Sequence, residues 1–379
     1  MVLINSLLLT ANPPATLTAR QLNRATLARQ MLLARERTNV LDAVARLVGL
    51  QAQAPRPPFV GLWTRLERFS RDDLLRLLSA RRLVRVTAMR GTLHLMTAAD
   101  YIALRGALQP ALTRGMQSVL RDRAKALDFS ALDAAARAFF AKAPGTFDAL
   151  RTVLQQKYPK GDERAMAYAI RTSLPLVQVP TDARWGFPAS PDFALADGWL
   201  GKTVRTTDAP APVLVRRYLA GFGPATPADA QLWSGLPALR EIFESLRPTL
   251  VTFRDVKKRE LFDLPDAPRP VADSPAPVRF LPEFDNLVLS HADRTRVLAD
   301  EHRPRVVLKN LQVRATFLVD GFVAGTWKID RKKNAATLVV EPFRPLARKT
   351  VAELEAEGDR LLDFTDDDAE ERDVRFART

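Results

Sequence analysis

Between residues 71 and 97 the chain changes its hydrophobic period, and that change limits the folds open to it. Ser70 with Asp73 three residues on is an N-cap signature, and the helix it opens runs from Arg71 to about Arg81. From Leu83 the pattern alternates: Leu83, Arg85, Thr87 and Met89 face one way, Val84, Val86 and Ala88 the other. Arg90-Gly91 supplies a turn, and Thr92-Leu93-His94-Leu95-Met96 returns as a second strand. Thr97 with Asp100 then caps the next helix.

Helices followed by a basic two-stranded hairpin are the order of a winged-helix unit, a relative of the helix-turn-helix. Upstream, Thr18 and Gln21 open a helix through about Arg35, a second runs from Asn39 to Leu50, and a third from Phe59 to Phe69. Weaker versions of the order follow. Helices are expected at about 99–125, at 130–142 (opened by Ser130 and Asp133), after Thr146 and at 162–172. Leu176–Val179 and Trp185–Phe187 form a second wing. A third set has helices over Val213–Gly221, from the Thr226/Asp229 cap through Trp233, and over 236–246, then strands at 249–254 and 258–263. Trp63 and Trp233 stand at helical spacing with Leu and read as core.

Residues 265–277, with Pro265, Pro268, Pro270, Pro275 and Pro277, form an extended linker. Beyond it the character turns to β. Leu287-Val288-Leu289 reads as a strand, and Val313–Val319, the Asp320-Gly321 turn and Phe322–Ile329 form a hairpin. The Arg331-Lys332-Lys333-Asn334 turn leads into Ala335–Glu341, and Thr350 to about Leu362 is an amphipathic helix. The chain is therefore expected to be α+β, with tandem winged-helix units followed by a β-rich, barrel-like C-terminal domain. The divisions fall at 15–110, 111–205 and 206–264 for the three units, 265–277 for the linker and 278–379 for the C-terminal domain.

Charge narrows the partners. The net balance is +14. Residues 353–373 nevertheless carry acids almost throughout, from Glu353 to Asp373, against Arg360 and Arg372, with only Arg375 and Arg378 after them. The body before that tail is thus more basic than the whole, as a polyanion-binding protein requires. A genome that writes Arg for Lys is the competing reading. The tail itself is polar enough to be partly disordered. With 0 Cys and 3 His, neither a disulfide framework nor a thiolate zinc site is available, and no metal or organic cofactor is expected. The apolar run Val2–Leu9 is too short to span a bilayer and lacks a basic start, so a cytoplasmic, nucleoid-associated protein with no membrane partner is expected.

No phosphate-binding Gly loop, HExxH, EF-hand or GxSxG motif is present, which leaves carboxylates, amides and arginines to carry function. The unusual stretch is Gly49-Leu50-Gln51-Ala52-Gln53-Ala54-Pro55, where two glutamines flank one small residue before a Pro-rich loop. Extended, the two amides project to one side. Alternatively they cap helix carbonyls. Together with Arg90-Gly91-Thr92-Leu93-His94, Leu281-Pro282-Glu283-Phe284-Asp285-Asn286 and Val319-Asp320-Gly321-Phe322-Val323-Ala324-Gly325-Thr326-Trp327, this block resembles the winged-helix DNA glycosylases of the AlkZ/AlkX (YcaQ) type. The resemblance implies three winged helices and a C-terminal β-barrel in a C-shaped clamp around duplex DNA, able to work as a monomer. It implies Gln51 and Gln53 as the catalytic pair of the Gln-x-Gln branch. That branch is associated with removing bulky N7-alkylpurines and unhooking interstrand crosslinks, here as a monofunctional DNA glycosylase.

A purine alkylated at N7 is cationic and leaves without a general acid, so two neutral amides that place a water suffice. Arg56, Arg85 and Arg90 are candidate phosphate contacts, although Arg56 is equally read as a solvated side chain. The tip residues Arg331, Lys332 and Lys333 either probe the duplex, as the family's hairpin implies, or form a plain solvated turn. His94 faces the wing core or the cleft. Asp285 and Asn286 hold a turn, with Asp285 the reserve if the site needs an acid. The rival reading is a non-enzymatic winged-helix regulator on the same basic surface.

Overall fold

Residues 14–207 and 211–377 are described by the computed structural model; the apolar run Val2–Leu9 and Arg378 lie outside them. The Thr18 capping box forms with both its hydrogen bonds and opens the Ala19–Arg29 helix. That helix stops well before Arg35, because Gln30 caps it and Met31 turns to a φ of 57°. Asn39 likewise caps Val40–Arg46, which ends short of Leu50. Val48 (φ 53°) and Gly49 (φ +92°) reverse the chain there. A Cβ at Gly49 would lie 2.8 Å from Met96 Cγ and 2.9 Å from Leu95 O, so only glycine fits. After this reversal Leu50–Gln51 is a strand, with Leu50 opposite Leu95 and Gln51 opposite His94.

The Ser70 capping box starts Arg71–Ser79, and the alternating stretch becomes the antiparallel pair Leu83–Thr87 and Leu93–Thr97. These strands join the later ones in one five-stranded sheet. Its order is Leu50–Gln51, Leu93–Thr97, Leu83–Thr87, Leu176–Gln178, Phe193–Leu195. One sheet is thus shared by residues 50–97 and 176–195. The partner of Leu176–Gln178 is Phe193–Leu195 rather than the expected Trp185–Phe187. Gly186 (φ +77°) breaks extension there, and Trp185 and Phe187 pack as side chains under Phe59 and Leu78.

Between these strands run Ala98–Leu120, Phe129–Phe140, Phe147–Lys157 and Glu163–Ser173. Asp128 caps the second of them, whereas the expected cap residue Asp133 instead accepts a hydrogen bond from the Ser173 hydroxyl at 2.6 Å. Next come Ala211–Phe222, Pro227–Ser234 behind the Thr226 capping box, and Leu239–Leu246. The hairpin Val251–Asp255/Glu260–Asp263 follows, its first strand also paired with Thr16–Leu17.

Residues 265–277 contain no helix or strand and lie against the first helix, whose Arg24 Nε donates to Ser274 O at 2.7 Å. The C-terminal sheet orders Glu371–Phe376, Ala335–Pro342, Phe322–Lys332, Thr316–Val319 and Arg279–Leu281. It has two edges, so the barrel-like closure expected from sequence does not form. The cause is the last connection: the Arg348–Thr365 helix crosses over and lays Glu371–Phe376 parallel to its neighbour, away from Arg279–Leu281. The acidic tail is consequently ordered. Leu287–Leu289 is also corrected, from strand to the short helix Asn286–Leu289 that Asp285 caps. The whole is a mixed α and β fold. Among the described residues no helix is long and apolar enough to cross a membrane.

Candidate active site

Gln51 and Gln53 stand where the short strand leaves the shared sheet. Gln51 is 6% exposed, and its Oε1 accepts from Arg90 Nη2 at 2.9 Å. Gln53 is exposed, and its Oε1 accepts from the Leu93 backbone N–H at 3.2 Å, prolonging the ladder that Ala52 N to Leu93 O (2.7 Å) continues. The two glutamines therefore do not cap helix carbonyls. Each amide oxygen is pinned by one donor and keeps a lone pair, and each Nε2 keeps its two N–H donors free of any hydrogen bond among the described residues.

The arginines expected at phosphates hold this turn instead. Arg85 is 4% exposed: its Nε donates to Ala52 O at 2.9 Å and its Nη2 to Gln53 O at 3.2 Å. Its guanidinium also lies 5.1 Å from the Phe187 ring. Its side chain emerges on a covered face of the sheet, so it fixes the Gln53 backbone and does not reach out along a wing. Arg90, with a φ of 56°, donates through Nη1 to Trp233 O at the end of the Pro227–Ser234 helix and through Nη2 to Gln51. It thus clamps the first hairpin to a helix 143 residues away. Burial, with Arg171 nearby, brings the Arg85 guanidinium down to about 10. Burial, with Arg294 nearby, does the same to Arg90. Both stay cationic at neutral pH.

His94, opposite Gln51, is 1% exposed. Burial first, then Arg90, lowers it to about 3, so the ring is neutral and cannot serve as an acid. Its Nδ1 lies 3.0 Å from Thr92 O, which can only accept, so Nδ1 carries the proton and Nε2 the lone pair.

Asp285 and Asn286 come to the site from the C-terminal domain. Asp285 is buried in a two-bond pair with Arg65 (2.8 and 2.9 Å) and caps its own short helix. Asn286 Nδ2 donates to Gly49 O at 2.7 Å, two residues before Gln51. They therefore set the Gln-x-Gln turn from behind, with the Asp285 carboxylate fully buried against Arg65. Arg65 was not foreseen from sequence: its partner is 220 residues distant and no local pattern marks it.

Arg56, half-buried at the start of Pro57–Trp63, has no carboxylate partner among the described residues and lies 6.0 Å from the Trp327 ring. Arg331 is neutralised by Asp366 (2.8 Å) and Asp368 (2.7 Å). Lys332 and Lys333, at the tip, are exposed with no ion pair among the described residues. Also among the described residues, no group of three or more His, Cys, Asp or Glu is placed to hold a metal ion.

A family model described as "DNA glycosylase AlkZ-like" matches residues 44–364, a span that contains both glutamines. An "Interstrand DNA cross-link repair glycosylase" of Streptomyces sahachiroi is 28% identical over 371 residues, covering 89% of this chain and 94% of the relative. The solved structure of Streptomyces sahachiroi DNA glycosylase AlkZ superposes with a TM-score of 0.77 at 23% identity, over 96% of this chain and 100% of that one. It is similar in fold.

Proposed function

Because the chain belongs to the AlkZ-like DNA glycosylase family, we propose that it is a monofunctional DNA glycosylase for bulky N7-alkylated purines in duplex DNA, and that it unhooks interstrand crosslinks made through N7. The three helix-and-hairpin sets act as winged helices, with the divisions at about residues 110, 205 and 264, and the C-terminal domain backs the Gln-x-Gln turn. The observation that carries the reading is the paired amide arrangement: two Gln oxygens fixed by Arg90 and Leu93 N–H, with donors left over.

Gln53, the exposed member, places the attacking water. Gln51, buried and held by a cation, steadies that water or the sugar as positive charge grows at C1′. The C1′–N9 pair departs to the purine and quenches its N7 charge. The water oxygen bonds to C1′ and releases its proton to solvent. Neutral amides are adequate because the leaving group is already activated; an undamaged purine, a poor leaving group, is spared. Arg56, Lys332 and Lys333, which no carboxylate engages among the described residues, are the duplex contacts of this reading.

Base release from duplexes carrying N7-methylguanine, a nitrogen-mustard crosslink or no lesion tests it. Release from the first two and none from the third is expected. Sequence-selective binding with every glycosidic bond left intact would establish a regulator instead.

A further inference from the structure

The face of the shared sheet opposite Gln51 and His94 carries a second candidate site. Residues directly opposite in an antiparallel ladder share a face, so Arg85, Gln178 and Phe193 line one side while Gln51, His94 and Val86 line the other. Over Phe193 lies a cavity of about 320 Å³, walled by the Phe147–Lys157 and Glu163–Ser173 helices and the 189–193 segment. Its volume is at the low end of ligand pockets, roughly 300–1,000 Å³.

The cations in it are unequally satisfied. Arg151 is engaged by Asp148 and by Glu163 at 3.2 Å. Arg171 is different: its guanidinium carbon lies 4.9 Å from the Phe147 ring and 5.5 Å from the Phe193 ring, and it has neither a carboxylate nor a hydrogen-bond partner among the described residues. Arg164, exposed on the same wall, is likewise unpaired among the described residues, and the Tyr168 and Ser190 hydroxyls add to the polar lining. A guanidinium packed on aromatic rings has lost water from its faces and keeps its N–H edge for a ligand; that edge matches two oxygens of a phosphate. Desolvation lowers Arg171, and its charge in turn lowers Arg85. An anion in the cavity would relieve Arg171 directly and, through its charge, Arg85.

We propose that this cavity seats a backbone phosphate of the bound DNA strand, gripped by the Arg171 edge with Arg164 beside it. The inference rests on the DNA reading above and adds a contact to it. The seat anchors the strand on the far side of the turn from the catalytic amides, and because it grips phosphate it is indifferent to sequence and to the lesion.

The test is the salt dependence of binding to a short unmodified duplex, for the wild-type chain, Arg164→Ala and Arg171→Gln, with thermal midpoints recorded for each. Deoxyadenosine monophosphate is titrated as a probe for a free nucleotide. Each lost phosphate contact lowers the slope of log K against log salt by about 1. The expected result is that drop in both variants, alike on different sequences, with the probe bound no more tightly by wild type than by Arg171→Gln. Unchanged slopes in folded variants overturn the seat. Tight probe binding lost in Arg171→Gln, with duplex slopes unchanged, assigns the cavity to free nucleotides and overturns the backbone source. Absence of salt-dependent duplex binding by wild type overturns the DNA reading itself, and the seat with it.

Discussion

His94 and His291 are both sealed in the interior, and burial, with Arg90 beside the first and Arg296 beside the second, brings each to about 3. Both rings are neutral when folded and free to take a proton when unfolded, at about 6.5. Above that pH they contribute no pH dependence. As pH falls from 6.5 towards 3 the unfolded chain gains protons the folded one refuses, so stability drops by about 1.4 kcal/mol per unit for each histidine. Asp229, which faces His291, and Asp293 are held below the ordinary carboxylate range and act only at lower pH. Thermal midpoints should therefore fall steadily between pH 6.5 and 4.5, and less steeply in His94→Gln; a flat profile would contradict the buried neutral rings. The Gln51–Gln53 pair stands out only beside the other motif blocks it occurs with, since two glutamines before a Pro-rich loop read by themselves as helix caps. The roles of Arg85 and Arg90 were not legible: whether an arginine meets solvent depends on what the rest of the chain lays over it, here Phe187 and the Trp233 carbonyl.

Caps are local chemistry, which is why Thr18, Asn39, Ser70, Thr97, Thr146 and Thr226 all start helices where their side chains announce them. Helix ends and strand partners were harder to read. Two successive left-handed residues, Val48 and Gly49, cut a helix and made a strand whose partner lies 45 residues on, a decision no local period records. The Leu281–Asn286 block was recognisable as a motif, yet its mechanical meaning needed Arg65. The Arg65–Asp285 pair joins the Pro57–Trp63 region to the C-terminal domain with both side chains fully buried. Removing one partner strands the other charge, at about 3–5 kcal/mol. Arg65→Met should lower the urea midpoint by a corresponding amount, and Arg65→Met with Asp285→Asn should recover part of the loss, since Asn still caps Leu287 N. A single variant as stable as wild type would show the pair is not a brace.

Across the whole molecule, charge is arranged as well as counted. The acidic segment closes on Arg71, Arg184 and Arg331 through Asp366, Asp367 and Asp368 and ends as a sheet strand. Composition points to a polyanion partner, but this folding-back is not readable from it, because a run of acids reads as disordered until the arginines that meet it are placed. The open C-terminal sheet has the same origin, a crossover helix whose destination is set by packing. Sheet, hairpin and C-terminal motif converge on one short turn, and we propose that its two amides carry the bond cleavage. The deciding experiment is single-turnover base release from N7-methylguanine duplex by wild type and by the Gln51→Ala/Gln53→Ala double variant, with duplex affinity measured alongside. Release should collapse in the variant while duplex binding is retained; release at the wild-type rate would remove the two amides from the chemistry.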